Sequence, residues 1–160
     1  MKKISFLFLL SVFSLSFLTA CGDDDKKDTE KPKVDNVLPA NNATLYIGEA
    51  FTFKADLSDN TGLGSYRIDI HFNDGNHSHS VKLVEPRGVE DIAYAYTNNW
   101  TVTGTSQSVQ QAIEIPLTQL DATDNKQKPV KVGNYHLVIY VADKEGNETV
   151  IARDIVLANR

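Results

Sequence analysis

The chain contains almost no sulfur. It has one cysteine, Cys21, and one methionine among its 160 residues. No disulfide can form within the chain, and beyond Cys21 no thiol is available as a nucleophile or a metal ligand. The folded part must therefore be stabilised by its hydrophobic core alone, which a domain of ordinary size can do.

Basic residues are scarce relative to acidic ones. The chain has 16 lysines and arginines against 21 aspartates and glutamates, which gives a net charge of −5. No basic stripe interleaved with aromatic residues is present, so we expect no nucleic-acid binding. We also find no nucleophile elbow, phosphate-binding glycine loop or paired catalytic carboxylates. These absences favour a binding protein over an enzyme.

The first twenty residues have the pattern of an export signal. A basic start at Met1–Lys3 precedes an apolar run over Ile4–Leu18, and small residues lead into Cys21. The run of about 15 residues is too short to span a membrane comfortably, and its order of charged, apolar and small residues is typical of a secretory signal. We interpret residues 1–20 as a signal peptide that is cleaved before Cys21.

The tetrapeptide Leu18–Cys21 resembles the lipobox of bacterial lipoproteins. That resemblance implies acylation of Cys21 on its sulfur and its new amino group, and two or more acyl chains give stable membrane anchoring. Residues 22–33 include no aliphatic or aromatic side chain. We therefore interpret residues 21–33 as the lipidated cysteine and a solvated acidic tether.

The acidic run after Cys21 is similar to the export signal of Bacteroidetes-type surface lipoproteins. The similarity implies a protein anchored in the outer membrane and facing the cell exterior. A polar linker that leaves the domain facing the periplasm is the alternative.

Residues 34–160 have the pattern of an all-β domain. Short segments of alternating apolar residues are separated by Gly, Asn and Asp, and no long stretch has helical periodicity. Seven segments are predicted as strands: Leu45–Ile47, Phe51–Leu57, Tyr66–Phe72, Val81–Leu83, Ile113–Leu117, Tyr135–Val141 and Val150–Leu157. Residues 85–108 are predicted to be irregular. About seven strands in roughly 125 residues predict an immunoglobulin-like β-sandwich.

Two loops are similar to those of bacterial immunoglobulin-like and cadherin-like domains. They are Asp59–Leu63, ahead of one strand, and Val141–Asn147, between the last two. In cadherin-like domains such loops carry Ca²⁺ ligands, which here would be Asp59, Asp143 and Glu145. A neighbouring module that completes such sites is lacking, so we favour turns in which Asp and Asn bond to their own backbone.

A narrower resemblance links the chain to single-domain Bacteroidetes lipoproteins. It rests on Ile68–Phe72, on Asp74–His79 and on Gly133–His136. That family has no assigned activity, so the resemblance supports the fold more than any function.

The four histidines form the candidate functional site. His71, His77 and His79 lie within nine residues of one another, and His136 lies in a distant segment. In an immunoglobulin-like sandwich the strand of His71 pairs with the strand of His136. Both imidazoles face outward if their apolar neighbours face the core. Three or four converging imidazoles would suit Zn²⁺ or Cu²⁺.

Convergence depends on the hairpin that follows Phe72. A three-residue loop would place His79 opposite His71, so that all the histidines lie on the outer face. A two-residue loop at 74–75 would instead turn the later pair toward the core and pair residues 81–83 with residues 66–68. The sequence argues for both registers.

Three interpretations of the histidines therefore stay open. They are a transition-metal site, a mixed site with Asp69 or Asp74 as an oxygen ligand, and solvent-facing histidines without a metal. The rival to metal capture is an adhesion or interaction module that binds a protein or a glycan. Its surface would be the sheet face or an aromatic platform of Tyr94, Tyr96 and Trp100, although Trp in this architecture more often packs in the core.

Overall fold

The structure is a computed structural model that describes residues 27–75 and 91–160. These residues form ten strands: β1 Lys33–Leu38, β2 Ala43–Tyr46, β3 Ala50–Ser58, β4 Leu63–Phe72, β5 Tyr96–Thr101, β6 Ser106–Glu114, β7 Thr118–Asp121, β8 Lys126–Pro129, β9 Gly133–Asp143 and β10 Glu148–Ala158. The predicted all-β class is confirmed. In the part of the chain that is described, no helix is long and apolar enough to cross a membrane.

Two sheets enclose the core. One has the strand order β1-β3-β6 and the other β2-β10-β9-β4-β5, while β7 and β8 form a separate hairpin. Only β2 and β10 run parallel among these named pairs. Phe53 and Leu57 of β3 are fully buried, as are Ile68 of β4 and Leu137 and Ile139 of β9. The inward side chains of both sheets thus form one core, as in a β-sandwich.

The central strand β9 is buried on both of its faces. Every residue from Tyr135 to Ile139 is at most 8% exposed. The inward positions pack in the core, whereas the outward positions are flanked by β4 on one side and β10 on the other. The Arg67 guanidinium, 3.8 Å above the Tyr140 ring, covers part of this outer face.

The described residues contain ten strands rather than the seven predicted. The additional strands β1, β7 and β8 have few apolar residues, and β5 lies in the stretch predicted to be irregular. Apolar alternation detects a strand only when one face is buried against the core. The hairpin β7–β8 is instead held by polar contacts, in which Lys128 forms ion pairs with Asp121 and Asp124. Leu117, which ends the strand predicted over Ile113–Leu117, lies beyond β6 and is 69% exposed.

The strand β4 has a described neighbour on each of its edges. One edge of β4 pairs with β9, and the other pairs with β5 over residues 65–70. Tyr66 lies opposite Trp100, and Ile68 lies opposite Asn98. The segment predicted as a strand at residues 81–83, and with it the choice between the two hairpin registers, lies outside the described residues.

Candidate functional site

The antiparallel pairing of β4 and β9 brings two of the predicted histidines together. His71 and His136 lie directly opposite each other in the ladder. Their ring centroids are 5.5 Å apart and their planes meet at 63°. The alternation of apolar and polar residues that placed both on the outer face is confirmed for this pair.

The two imidazoles differ in burial. His136 is only 7% exposed, because it lies on the central strand between β4 and β10. The His71 side chain is 47% exposed near the end of β4. One imidazole is therefore held rigidly, while the other is accessible from solvent.

Each imidazole lies beside a carboxylate on the same sheet face. His136 Nδ1 is 2.9 Å from Asp154 Oδ1, and His71 Nδ1 is 3.5 Å from Asp69 Oδ1. The His136 contact lacks the alignment of a hydrogen bond. A carboxylate beside Nδ1 is the usual arrangement of an imidazole that ligates a metal through Nε2. Both rings share this arrangement.

The remaining predicted site residues lie outside the described residues. These are His77 and His79 of the histidine set, and Cys21 of the lipidation site. Asp69, proposed as an oxygen ligand in the mixed site, does lie beside His71. The described part of the predicted centre is thus two imidazoles and their two carboxylates.

The aromatic residues near β5 pack toward the interior. Trp100 stacks on Tyr66 with centroids 4.9 Å apart and planes within 13°. Tyr94 is 3% exposed and donates a hydrogen bond from its hydroxyl to the Glu114 carbonyl. Tyr96 and Trp100 are partly buried against the core. These contacts support the interpretation of Trp100 as a core residue.

A second cluster, of three carboxylates, was not predicted. Asp28 precedes β1, Asp59 lies in the loop between β3 and β4, and Asp143 ends β9. One oxygen from each carboxylate lies within 4.8 Å of the other two. Asp59 and Asp143 lie in loops that the sequence distinguishes, whereas Asp28 belongs to the segment predicted to be a solvated tether. No local sequence pattern around Asp28 indicates its contact with Asp59 and Asp143. That contact depends on how the segment before β1 passes the loops that carry these two residues.

The last residues of the predicted tether contact the sandwich. The Asp28 carboxylate accepts hydrogen bonds from Asn60 Nδ2 at 3.1 Å and from the Thr61 hydroxyl at 2.9 Å. Pro32 is buried, and its carbonyl accepts a hydrogen bond from the Thr149 hydroxyl. The solvated character predicted for residues 21–33 therefore does not extend to this part of them.

Local hydrogen bonds favour the charged forms of two of the carboxylates. The backbone N–H of Glu30 and the Asn60 amide hold the pKa of Asp28 below its usual value. Burial raises the pKa of Asp59, but the N–H groups of Gly62 and Thr61 more than offset this and the net shift is downward. Both are ionised at neutral pH, so negative charge accumulates in the cluster.

Comparisons with known proteins place the chain within a family but assign no activity. A family model described as a domain of unknown function, DUF4625, matches residues 19–158. No curated protein matches the chain.

Two solved structures are similar to this chain. One is the alkylpurine DNA glycosylase AlkC of Pseudomonas fluorescens bound to DNA containing an abasic site analog, with a TM-score of 0.45 and 15% identity over 82% of this chain. The other is a beta-glucosidase from Listeria innocua, with a TM-score of 0.41 and 12% identity over 81% of this chain. The chain spans 31% of the first protein and 16% of the second.

Proposed function

We propose that this chain, which belongs to the DUF4625 family of domains of unknown function, is a lipid-anchored binding protein that captures Zn²⁺ or Cu²⁺ through a histidine cluster. The opposition of His71 and His136 across β4 and β9 carries the proposal. The cluster is completed by His77 and His79 from the segment that follows β4. The protein acts at the outer membrane, facing the cell exterior, and Cys21 is the lipid attachment point.

The spacing of the histidine pair supports a shared metal ion. With Zn–N bonds of about 2.0–2.1 Å and a tetrahedral angle, two ligating imidazoles have centroids about 5 Å apart. The centroids of His71 and His136 are 5.5 Å apart. The distance between the two rings is therefore compatible with their binding one ion.

The surroundings of the pair also suit metal ligation. Asp154 and Asp69 stand beside the Nδ1 atoms and so favour binding through Nε2. The pairing of β4 with β5 ends at Ile70, one residue before His71. The edge of the sheet beside His71 is thus not covered by β5, and a third or fourth ligand can approach from that side.

Capture suits this arrangement better than catalysis. A catalytic zinc needs an open coordination position and a general base close to its bound water. A set of four histidines occupies all four positions of a tetrahedral ion. The proposed protein therefore captures a metal at the cell surface and does not use it as a Lewis acid.

The test is a thermal melt of the purified full chain, stripped with chelator and titrated with Zn²⁺, Cu²⁺ and Ca²⁺. A ligand that binds only the folded state raises the melting temperature with RT ln(1 + [L]/Kd). We expect a saturable rise of several degrees with Zn²⁺ or Cu²⁺. In His71→Ala and in the double variant His77→Ala/His79→Ala, that rise should be lost.

The control is Asn99→Ala, an exposed position on the neighbouring strand β5. It should respond to metal as the unmodified chain does. If neither Zn²⁺ nor Cu²⁺ shifts the melt, or if His71→Ala responds normally, metal capture through this cluster is wrong. The alternative of a surface module that binds a protein or glycan would then be pursued by capture of partners from the cell surface.

A further inference from the structure

We propose that the free edge of β6 binds an extended peptide segment of a partner protein, which adds a fourth strand to the sheet β1-β3-β6. The bound segment lies along residues 106–112 and covers the inner face of β5. This surface is separate from the histidine pair on the outer face of β4 and β9, and binding there needs no metal ion.

The register of β6 shows which of its backbone groups are unpaired. Its pairing with β3 runs over nine residue pairs without a shift. Just before β6, the Thr105 carbonyl accepts a hydrogen bond from the Asp59 N–H at 2.9 Å. Just after β6, the Ile115 N–H donates to the Glu49 carbonyl at 3.0 Å. Residues of an antiparallel strand direct their N–H and C=O groups alternately toward one neighbour and toward the other. The even-numbered residues of β6 therefore point to the free edge; they are Ser106, Ser108, Gln110, Ala112 and Glu114.

The Glu114 carbonyl supports this direction and marks where the free edge ends. It accepts a hydrogen bond from the Tyr94 hydroxyl at 3.0 Å, so it points away from β3. Within the described residues, β6 pairs with β3 alone. The N–H and C=O groups of the four preceding even-numbered residues thus lack a backbone partner in this part of the chain. A strand that runs beside them would satisfy both kinds of group.

The edge of β6 lacks the features that protect other sheet edges. Edge strands are commonly short, charged, interrupted by a bulge or broken by proline. The edge strand β2 has four residues, and β1 has a register shift between Asp35 and Leu38. In contrast, β6 has nine residues, and residues 102–113 include no charged side chain and no proline. Its edge is therefore open to pairing with another strand.

The inner face of β5 is incompletely covered. Tyr66, Ile68 and Ile70 of β4 face the core and are at most 2% exposed. β6 lies over β4, since Gln111 Nε2 donates to the Tyr66 hydroxyl at 2.7 Å. The residues of β5 directly opposite share this inner face, and they are Trp100, Asn98 and Tyr96. Asn98 is exposed, and the two aromatic rings are only partly buried. Inner faces of a sandwich normally cover each other, so among the described residues the sheet β1-β3-β6 is too narrow to cover β5.

These features define the chemistry of the partner. Pairing with residues 106–112 requires an extended segment of about seven residues that keeps its N–H donors. Its inward side chains meet Trp100 and Tyr96, so the residues at alternate positions are apolar. The chain has a net charge of −5, which favours a neutral or basic segment over an acidic one. The same charge disfavours a second copy of this chain as the partner.

The experiment titrates the purified full chain with a synthetic peptide of residues 50–58 as a strand probe. This peptide has the sequence of β3, whose apolar side chains alternate and which pairs with the other edge of β6. Binding is followed by the fluorescence of Trp100, the only tryptophan, and by hydrogen exchange of the Ser108 and Gln110 amides. The control peptide carries Thr52→Pro and Ala55→Pro, so it lacks a donor on each of its edges.

Two variants and a matched control test the surface itself. Gln110→Pro removes an N–H that points to the free edge and leaves the hydrogen bonds to β3 in place. Asn98→Lys places a charge on the inner face of β5, beside the bound segment. Thr97→Lys, the control, places the same charge on the outer face of the same strand. Both β5 positions are exposed, so Asn98→Lys tests the surface even if Gln110→Pro does not fold.

We expect saturable binding of the probe with a Kd below about 1 mM. The emission of Trp100 should move to shorter wavelength, because the added strand shields its ring from water, and both amides should exchange more slowly. Gln110→Pro and Asn98→Lys should bind the probe at least about tenfold more weakly, which is a loss of about 1.4 kcal/mol or more. Thr97→Lys should bind as the unmodified chain does, and the control peptide should not bind.

Absence of binding at about 1 mM probe would overturn the proposal. Equal binding of the control peptide would do the same, because it would show that pairing through backbone donors is not involved. An unchanged affinity of Asn98→Lys would remove the inner face of β5 from the site. Slow exchange of the Ser108 and Gln110 amides before any peptide is added would show that the edge is already paired, which also contradicts the proposal.

Discussion

Replacing Tyr135 with phenylalanine tests how the segment ahead of β5 is held on the sandwich. Tyr135 is fully buried on β9. Its hydroxyl donates to the Lys131 carbonyl at 2.7 Å and accepts from the Tyr94 N–H at 3.1 Å. Phenylalanine keeps the ring, including its edge contact with Phe72, and removes only the hydroxyl. Any loss of stability therefore reports on the two hydrogen bonds.

The loss follows from the burial of the Tyr94 N–H. A buried donor left without its acceptor costs about 1–3 kcal/mol, and the lost bond to the Lys131 carbonyl adds about 1 kcal/mol. We expect Tyr135→Phe to lower the free energy of unfolding by about 2–4 kcal/mol. In a domain of this size that corresponds to a fall of roughly 6–20 °C in melting temperature.

The assay is urea unfolding of the full chain, followed by the fluorescence of Trp100. The control is Tyr140→Phe, the same chemical change on the outer face of β9, where the ring stays under the Arg67 guanidinium. We expect the control to lose less than about 0.5 kcal/mol. The prediction is refuted if Tyr135→Phe lowers the free energy of unfolding by no more than the control does, with the same dependence of that free energy on urea concentration. The hydroxyl would then not hold the two segments together.

The remaining predictions concern pH and packing. Burial raises the pKa of Tyr135 to about 12 and also raises the pKa of Tyr94. The neutral hydroxyls of these tyrosines therefore stabilise the folded state fully below pH 10, and this contribution is lost as the pH rises toward 12. A free energy of unfolding that stays constant across this window in denaturant melts would contradict the prediction. The hydrogen bond from Lys128 and those from Thr123 lower the pKa of Asp121 from 3.8. The stability that these hydrogen bonds contribute to the fold is present above that pH and is lost below it. In a plot of stability against pH, Asp121→Asn should therefore show a smaller loss of stability on the acid side. Gly64→Ala should lower the free energy of unfolding by about 1–3 kcal/mol, because a Cβ there would lie 2.7 Å from the Asp143 carbonyl oxygen. A variant as stable as the unmodified chain in urea melts would show that the backbone at Asp143 moves to accommodate the methyl group.

The histidine pair was predictable because it depends on a local pattern and one strand pairing. In β4 and β9 the apolar residues alternate with polar ones, so each histidine was assigned to the outer face. A common sandwich arrangement then paired the two strands and so predicted that His71 and His136 lie in one patch of the sheet. The burial of His136 was not predictable, because it results from side chains of neighbouring strands covering the centre of the outer face.

The pairing of β4 with β5 was not predicted, for an equally physical reason. An Asp-Gly turn followed by Val81 and Leu83 favours a hairpin that continues from β4. The strand that pairs there is β5, in which Asn98 stands opposite Ile68 and interrupts the apolar alternation between Tyr96 and Trp100. Such a strand is stabilised by its backbone pairing and by the packing of its two aromatic side chains. Neither produces an apolar alternation in the sequence, so the pattern does not predict the strand.

The sequence by itself determined the all-β class, the lack of a disulfide and the outward orientation of two histidines, because composition and the two-residue period of a strand are local properties. The tertiary structure alone decided that Asp28 meets Asp59 and Asp143. That contact joins segments far apart in the chain, and it forms only once β3, β4 and β9 are paired and their loops lie at one end of the sandwich. Nothing in the spacing of these aspartates along the chain encodes the distance between their oxygens, since the packing of the sheets sets it.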